Sequence, residues 1–377
     1  MSGPACGFVR RTVDRLSDGR EIIYFDDSPE YVEGRASRSL PDQRALPRAA
    51  GGSTLRYDVL TGDWVAIASH RNTRTFLPPA DLCPLCPTRA GRAPTEIPAR
   101  DYDVVVLENR FPAFSRTGGE QVPGTVDGVD LWPQSAGRGR CEVICFTSDH
   151  GTGLSRLEPA RVRTVIEAWA DRTEHLSAQP GTAQVFCFEN RGQEIGVTLH
   201  HPHGQIYAYP FLPARTTALL RQAAEHRRRT GGNLLRDVLE AERRVRTRIV
   251  FEGEHWTAYV PAAARWPVEV HLAPHRDRAD LAELDDAERD ELSHLYLDLL
   301  RRVDRYYEGV EATPYISGWH QAPVGRDREL GRLHLQLFSV LRAPGRIKYL
   351  AGSESGMGAW INDAVPELIA ARFREVG

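Results

Sequence analysis

The chain runs twice through one order of elements, and that repetition limits what its 377 residues can fold into. In the first half, DYDVVVLENRFPAF (101–114) and CEVICFTSDH (141–150) read as strands. A helical stretch follows from Leu157: Pro159 suits a first turn, and Val162, Val165, Ile166 and Trp169 recur at helical spacing. AQVFCFEN (183–190) and HHPHGQIYAYP (200–210) then return to strand character. The second half repeats the order with GEHWTAYVPA (253–262), WPVEVHLAPH (266–275), a helix over LAELDDAERDELSHLYLDLLRRV (281–303), YISGWH (315–320) and LHLQLF (333–338). Asp285 with Glu288 predicts a capped start for that helix, and Leu292, Leu295, Leu299 and Val303 a buried stripe. The duplication predicts an α+β fold of two tandem halves, 1–232 and 233–377, with mainly antiparallel sheets side by side and helices covering them. Before the first strand of the repeat, RYDVLTGDWVAIA (56–68) reads as a β-hairpin, and 27–54 as a long surface excursion or a poorly ordered arm.

Charge and cysteine content remove several function classes. Forty-eight basic residues against 51 acidic ones leave a net charge of −3, with no dominant basic stripe, which argues against nucleic-acid binding. HRRRTGG (226–232) is one short basic run and reads as a solvated helix end. No window approaches the roughly 18 consecutive apolar residues of a membrane span. The N-terminal stretch does not read as a signal peptide, and six cysteines are too sparse for a disulfide scaffold. A cytoplasmic, reduced protein is expected.

Three histidines crowd into HHPHGQ (200–205). In the repeat, His201-Pro202-His203 is matched to His334-Leu335-Gln336, so the second copy is expected to keep one histidine and to lack the partner of His203. Cys83-Pro84-Leu85-Cys86 sets two thiols across a two-residue turn, a spacing shared by metal sites and redox pairs. If it binds metal, the duplication nominates His150 and His201 as the other ligands, giving a closed structural zinc site with no open position for water. Strand alternation would point His201 and His203 to one side. His203 is the candidate nucleophile, because an unprotonated imidazole attacks phosphorus and can be displaced from it. Gly204 would leave room for a phosphate, and Gln205 would donate its amide to a non-bridging oxygen.

With these residues in place, the sequence resembles the galactose-1-phosphate uridylyltransferase family of the histidine-triad superfamily. The resemblance is carried by RYDVLTGDWVAIASHRNTR, CPLC, LENRFPAF, FENRG, HPHGQIYAYPF, HWTAYVP and GWHQAP, and spans about residues 56–350. LHLQLFSVLRAPGRIKYLAGSESGMG resembles the form found in actinobacterial members. It implies tandem histidine-triad-like halves and a ping-pong reaction. His203 would take UMP from UDP-glucose, releasing glucose 1-phosphate, and galactose 1-phosphate would collect it as UDP-galactose. By position, Gln205 contacts the transferred phosphoryl group and Thr198 stands near the departing phosphate. Cys83, Cys86, His150 and His201 match the structural zinc ligands. Arg71 and Arg74 match arginines at the phosphates, one supplied across a homodimer interface with a shared active site. Asn109 and Asn190 match asparagines near the nucleotide, and Lys348 and Glu354 residues of the sugar-phosphate end.

Three departures from the family pattern stand out. A second metal site of some members falls here on Leu219, His320, His334 and Gln336; with two ligands replaced, it is expected to be absent. A family glutamine beyond the glutamate falls near Trp360, with Asn362 as a substitute. His200 stands where proline is frequent. Competing expectations are another sugar-nucleotide nucleotidyltransferase or phosphorylase, for example on an ADP-sugar, and a noncatalytic nucleotide-binding scaffold.

Overall fold

A computed structural model describes residues 7–38, 41–47, 52–73, 75–116 and 122–377. Its strands are β1 (Arg10–Arg15), β2 (Glu21–Asp26), β3 (Thr54–Asp58), β4 (Asp63–Ile67), β5 (Val104–Glu108), β6 (Gln134–Ala136), β7 (Arg140–Cys145), β8 (Gln184–Arg191), β9 (His203–Tyr209), β10 (Ile249–Glu252), β11 (Trp256–Tyr259), β12 (Val268–Pro274), β13 (Tyr315–His320), β14 (His334–Ser339) and a short pair, β15 (Leu341–Ala343) and β16 (Arg346–Ile347). The helices are a short α1 (Pro29–Val32), α2 (Pro159–Ser177), α3 (Ala214–Thr230), α4 (Leu234–Val245), α5 (Asp286–Arg305) and α6 (Pro366–Glu375).

Among the described residues, eleven strands join in one sheet ordered β1-β2-β5-β7-β9-β8-β13-β14-β12-β11-β10, and every neighbouring pair is antiparallel. The order reads nearly the same from both sides of the β8–β13 seam, where Ser317 faces Glu189. Strands β5-β7-β9-β8 thus stand opposite β11-β12-β14-β13, as the sequence repeat predicts. The hairpin of β3 and β4 also forms, and joins β6 in a separate small sheet. The expected boundary at 232/233 falls in the turn between α3 and α4.

Helices α2 and α5 cover one face of the large sheet. Their buried stripes meet in a core common to both halves, where Trp169 of α2 lies 6.3 Å from Trp319 of β13 and 6.2 Å from Tyr296 of α5. Asp285 and Glu288 form the expected capping box at the start of α5. Inside the first half, Glu142 of β7 is fully buried between Arg140 and a two-pronged Arg172 from α2. Burial pushes its pKa up, but Arg172 and then Arg140 outweigh that and hold the carboxyl below its ordinary value.

Several expected strands are shorter than their sequence pattern. The strand over 101–114 ends at Glu108, because Asn109 Oδ1 accepts the Phe111 amide and Pro112 follows. The strand over 200–210 begins only at His203. No helix among the described residues is long and apolar enough to cross a membrane.

Candidate active site and metal centre

The sheet face opposite α2 carries a cavity of about 350 Å³, lined in part by His203, Gln205, Thr198, Asn109, Asn190 and Arg71. These six were nominated from sequence, and the fold gathers them from β5, β8, β9 and the loops before and after them. Alternation along β9 turns His203, Gln205 and Tyr207 to the cavity and sends Ile206 and Ala208 into the helix-covered core.

His203 is fixed by its own backbone. Its Nδ1 lies 2.7 Å from the carbonyl oxygen of His201. A carbonyl only accepts, so Nδ1 carries the proton and Nε2 keeps its lone pair. Burial lowers the pKa of the ring and so favours the neutral form, outweighing that hydrogen bond, which raises it. Arg71 Nη1 donates to the Tyr207 hydroxyl at 3.4 Å, and Tyr207 donates to Gln205 Oε1 at 3.0 Å. The relay occupies the carbonyl end of Gln205 and leaves its NH₂ for a ligand.

Beside the cavity, Cys83, Cys86, His150 and His201 bring one donor atom each within 4.8 Å of the others. Cys86 Sγ lies 3.4 Å from His150 Nδ1 and 3.6 Å from His201 Nδ1. A tetrahedral ion with metal–sulfur bonds of ~2.3 Å and metal–nitrogen bonds of ~2.0 Å sets sulfur and nitrogen about 3.5 Å apart, so the donor set fits. Without an ion, burial and then the neighbouring Cys83 push the Cys86 thiol up to about 12. Burial draws His201 down to about 4, the neutral state a ligand needs. The other His201 nitrogen, Nε2, meets Thr147 O at 2.9 Å and the Tyr102 hydroxyl at 2.7 Å, while Tyr102 donates to Leu85 O. Such outer contacts fix a ligating ring.

His201 precedes β9, and its ring enters the four-donor cluster beside the cavity. Three expectations need correction. Gly204 faces away from the cavity. A Cβ there would come 2.8 Å from Phe188 O and 3.2 Å from Ile144, so close packing, not phosphate access, requires glycine. The repeat is also in different register: His334 starts β14 as His203 starts β9, and its Nδ1 bonds the carbonyl two residues back, Arg332 O, at 3.0 Å. His334-Leu335-Gln336 therefore matches His203-Gly204-Gln205, and the second half keeps a counterpart of His203. Finally, Asn362 donates to Ala264 O and Trp266 O, so its amide serves the local fold rather than standing free for a sugar.

The remaining nominated residues lie elsewhere. Lys348 is 2 % exposed and donates to Arg265 O and Ile361 O, with Glu354 at 3.8 Å. Neither lines the His203 cavity. Arg74 lies outside the described residues. His320 and His334 stack 5.0 Å apart beside a second cavity that Leu219 also lines, while Gln336 donates to Glu269. A third ring there, His271, lies 5.7 Å from His334 and had no signal in the sequence. The sequence reading also missed Tyr207, two residues after Gln205 in the same strand, and Tyr102, Arg20 and Glu96, which come from distant segments with no shared motif.

One antiparallel sheet made of two like halves, each heading an inner strand with a backbone-tethered histidine, defines a duplicated histidine-triad fold. Residues 47–213 match the family profile described as galactose-1-phosphate uridyl transferase, N-terminal domain, and 219–375 the corresponding C-terminal domain. A galactose-1-phosphate uridylyltransferase of Streptomyces lividans is 44% identical, covering 98% of both chains; one from Thermotoga maritima is 34% identical over 85% of this chain and 98% of its own. A solved uridylyltransferase structure superposes with a TM-score of 0.76 at 32% identity, covering 86% of this chain and 98% of the other. An ADP-glucose phosphorylase from Arabidopsis thaliana, at 24% identity and a TM-score of 0.65, shares the fold over 86% of this chain and 99% of its own. The chain belongs to the galactose-1-phosphate uridylyltransferase family.

Proposed function

We infer that the protein is a UDP-glucose–hexose-1-phosphate uridylyltransferase that passes UMP from UDP-glucose to galactose 1-phosphate. The observation that carries the reading is the tautomer of His203, proton on Nδ1 and lone pair on Nε2 toward the cavity. In the first step Nε2 attacks the α-phosphorus. The bond from that phosphorus to the bridging oxygen breaks, and glucose 1-phosphate departs with the electron pair. The positive charge gained by the ring is shared with the His201 carbonyl through Nδ1–H. Gln205 donates its NH₂ to a non-bridging oxygen, Thr198 its hydroxyl to the departing phosphate, and Arg71 and Arg74 offset pyrophosphate charge. Galactose 1-phosphate then attacks the same phosphorus from the vacated side, and the imidazole leaves.

The four-donor cluster is proposed to hold structural zinc. Bound there, the ion would supply rigidity only, because four protein ligands leave it no open position. Residues 1–232 would carry the nucleophile and this clamp, and 233–377 the sugar-phosphate contacts. Lys348 and Glu354 lie apart from the cavity of their own chain, which favours a homodimer in which each copy completes the other's site.

Exchange of labelled glucose 1-phosphate into UDP-glucose, with no galactose 1-phosphate present, tests the reading. Exchange with UDP-glucose is the expected result. Exchange with ADP-glucose and not UDP-glucose would overturn it.

A further inference from the structure

Among the described residues, one carboxylate lines the His203 cavity, and it belongs to Glu96. Its backbone amide donates to Pro84 O, tying it to the turn between the two cysteines. The side chain is 10 % exposed and surrounded by three guanidinium groups. Oε2 accepts from Arg20 at 2.5 Å, and Oε1 from Arg44 at 2.7 Å and from Arg110 at 3.1 Å.

The three arginines are not equivalent. Arg20 is 3 % exposed and fixed by Asp18 and by Glu108 O. Arg44 is held by both oxygens of Asp42. The Arg110 side chain is 43 % exposed, and its bond to Glu96 is the longest of the three. Arg110 can leave while Arg20 and Arg44 keep the carboxylate charged and in place.

Position gives the carboxylate its substrate group. In the sheet register Gln205 faces Val143, and Val143 faces Leu107. With strands ~4.8 Å apart, Leu107 is about 10 Å from the strand of the nucleophile. Glu96 lies past that apolar floor, since Arg20 bridges it to the carbonyl of Glu108. β8 lies on the other side of β9, and the segment joining them carries Thr198, where the reaction above puts the departing group. A nucleoside attached to phosphorus at His203 Nε2 would lie over Val143 and Leu107, its ribose toward Glu96.

We propose that Glu96 recognises the ribose of the transferred nucleotide, its carboxylate accepting the 2′- and 3′-hydroxyls, and that Arg110 occupies one of those positions until substrate displaces it. The proposal rests on the uridylyl-transfer reading. An ionised carboxylate accepts only, with about four lone-pair positions. Three are filled here, so departure of Arg110 leaves about two open, the number a cis-diol requires.

The test compares glucose 1-phosphate exchange with UDP-glucose and with 2′-deoxy-UDP-glucose. The native protein should prefer the ribonucleotide by ~10–100-fold in kcat/KM, the range for losing a hydrogen bond to a charged group. Glu96→Gln should bring the two substrates within about threefold by slowing the ribonucleotide. Arg110→Ala should keep the preference and lower the KM for UDP-glucose, because a competitor for the carboxylate is gone. Thermal unfolding checks that Glu96→Gln folds, and if it does not, Arg110→Ala decides. A Glu96→Gln protein that still discriminates overturns the proposal. So does an Arg110→Ala protein with a raised KM for both substrates, which would make Arg110 a direct anion ligand. Absence of exchange by the native protein would instead defeat the uridylyl-transfer reading itself, and this proposal with it.

Discussion

The imidazole of His203 is hydrogen-bonded through Nδ1 to the backbone carbonyl of His201, whose own ring belongs to the four-donor cluster. One residue of the cluster thus sets the tautomer of the reactive ring. A metal bound at the cluster would act on the reactive ring through this single peptide unit.

Replacing Cys83 with Ser should therefore affect more than metal content. The zinc stoichiometry should fall well below one per chain, and the unfolding temperature should drop by several degrees because metal binding is linked to folding. The exchange rate should fall at least ~10-fold, since the His201 carbonyl loses its anchor. Elemental analysis, calorimetry and exchange on one preparation check all three.

Tyr102→Phe keeps every ligand and removes the hydroxyl between His201 Nε2 and Leu85 O. Metal affinity should weaken ~10–100-fold, as for other outer contacts to ligating histidines. Competition with a chelator measures it. Unchanged affinity would show that Thr147 O alone orients the ring.

Glu142 gives a stability prediction with a definite pH direction. Its carboxyl is held below its ordinary value, so its contribution is present above the unfolded-chain pKa and is lost as pH falls through the folded value. Glu142→Gln leaves Arg172 buried without its counter-charge and should cost about 3–5 kcal/mol near neutral pH. Urea unfolding from neutral to acid pH should show that deficit shrinking on the acid side.

If each copy completes its partner's site, two inactive chains should rescue one another. His203→Asn and Glu354→Ala proteins, unfolded and refolded together, should regain up to about a quarter of native activity, because half the dimers are mixed and each has one intact site. No recovery would place Glu354 outside the shared site.

Much of this was legible in the sequence because it is local or periodic. The helical stripes of α2 and α5, the capping box at Asp285, and the cysteine pair depend on neighbours within a few residues. The His150 and His201 assignments came from the repeat. The register of that repeat was misread because histidine identity was matched rather than strand position; His334 follows His203 in facing its cavity from the first residue of its strand. Gly204 was misassigned because its constraint is the Phe188 carbonyl on an adjacent strand. Glu96, Arg20 and Tyr102 carried no signal, as their roles arise only when β1, β2 and the loop after Cys86 meet β5.

Covalent capture tests the central claim most directly. Protein mixed with UDP-glucose labelled in its α-phosphate and quenched within milliseconds should carry acid-labile, base-stable label on the peptide containing His203. The label should be released by galactose 1-phosphate and should be missing from the His203→Asn protein. Turnover without any such adduct, or label on a different side chain, would contradict the account.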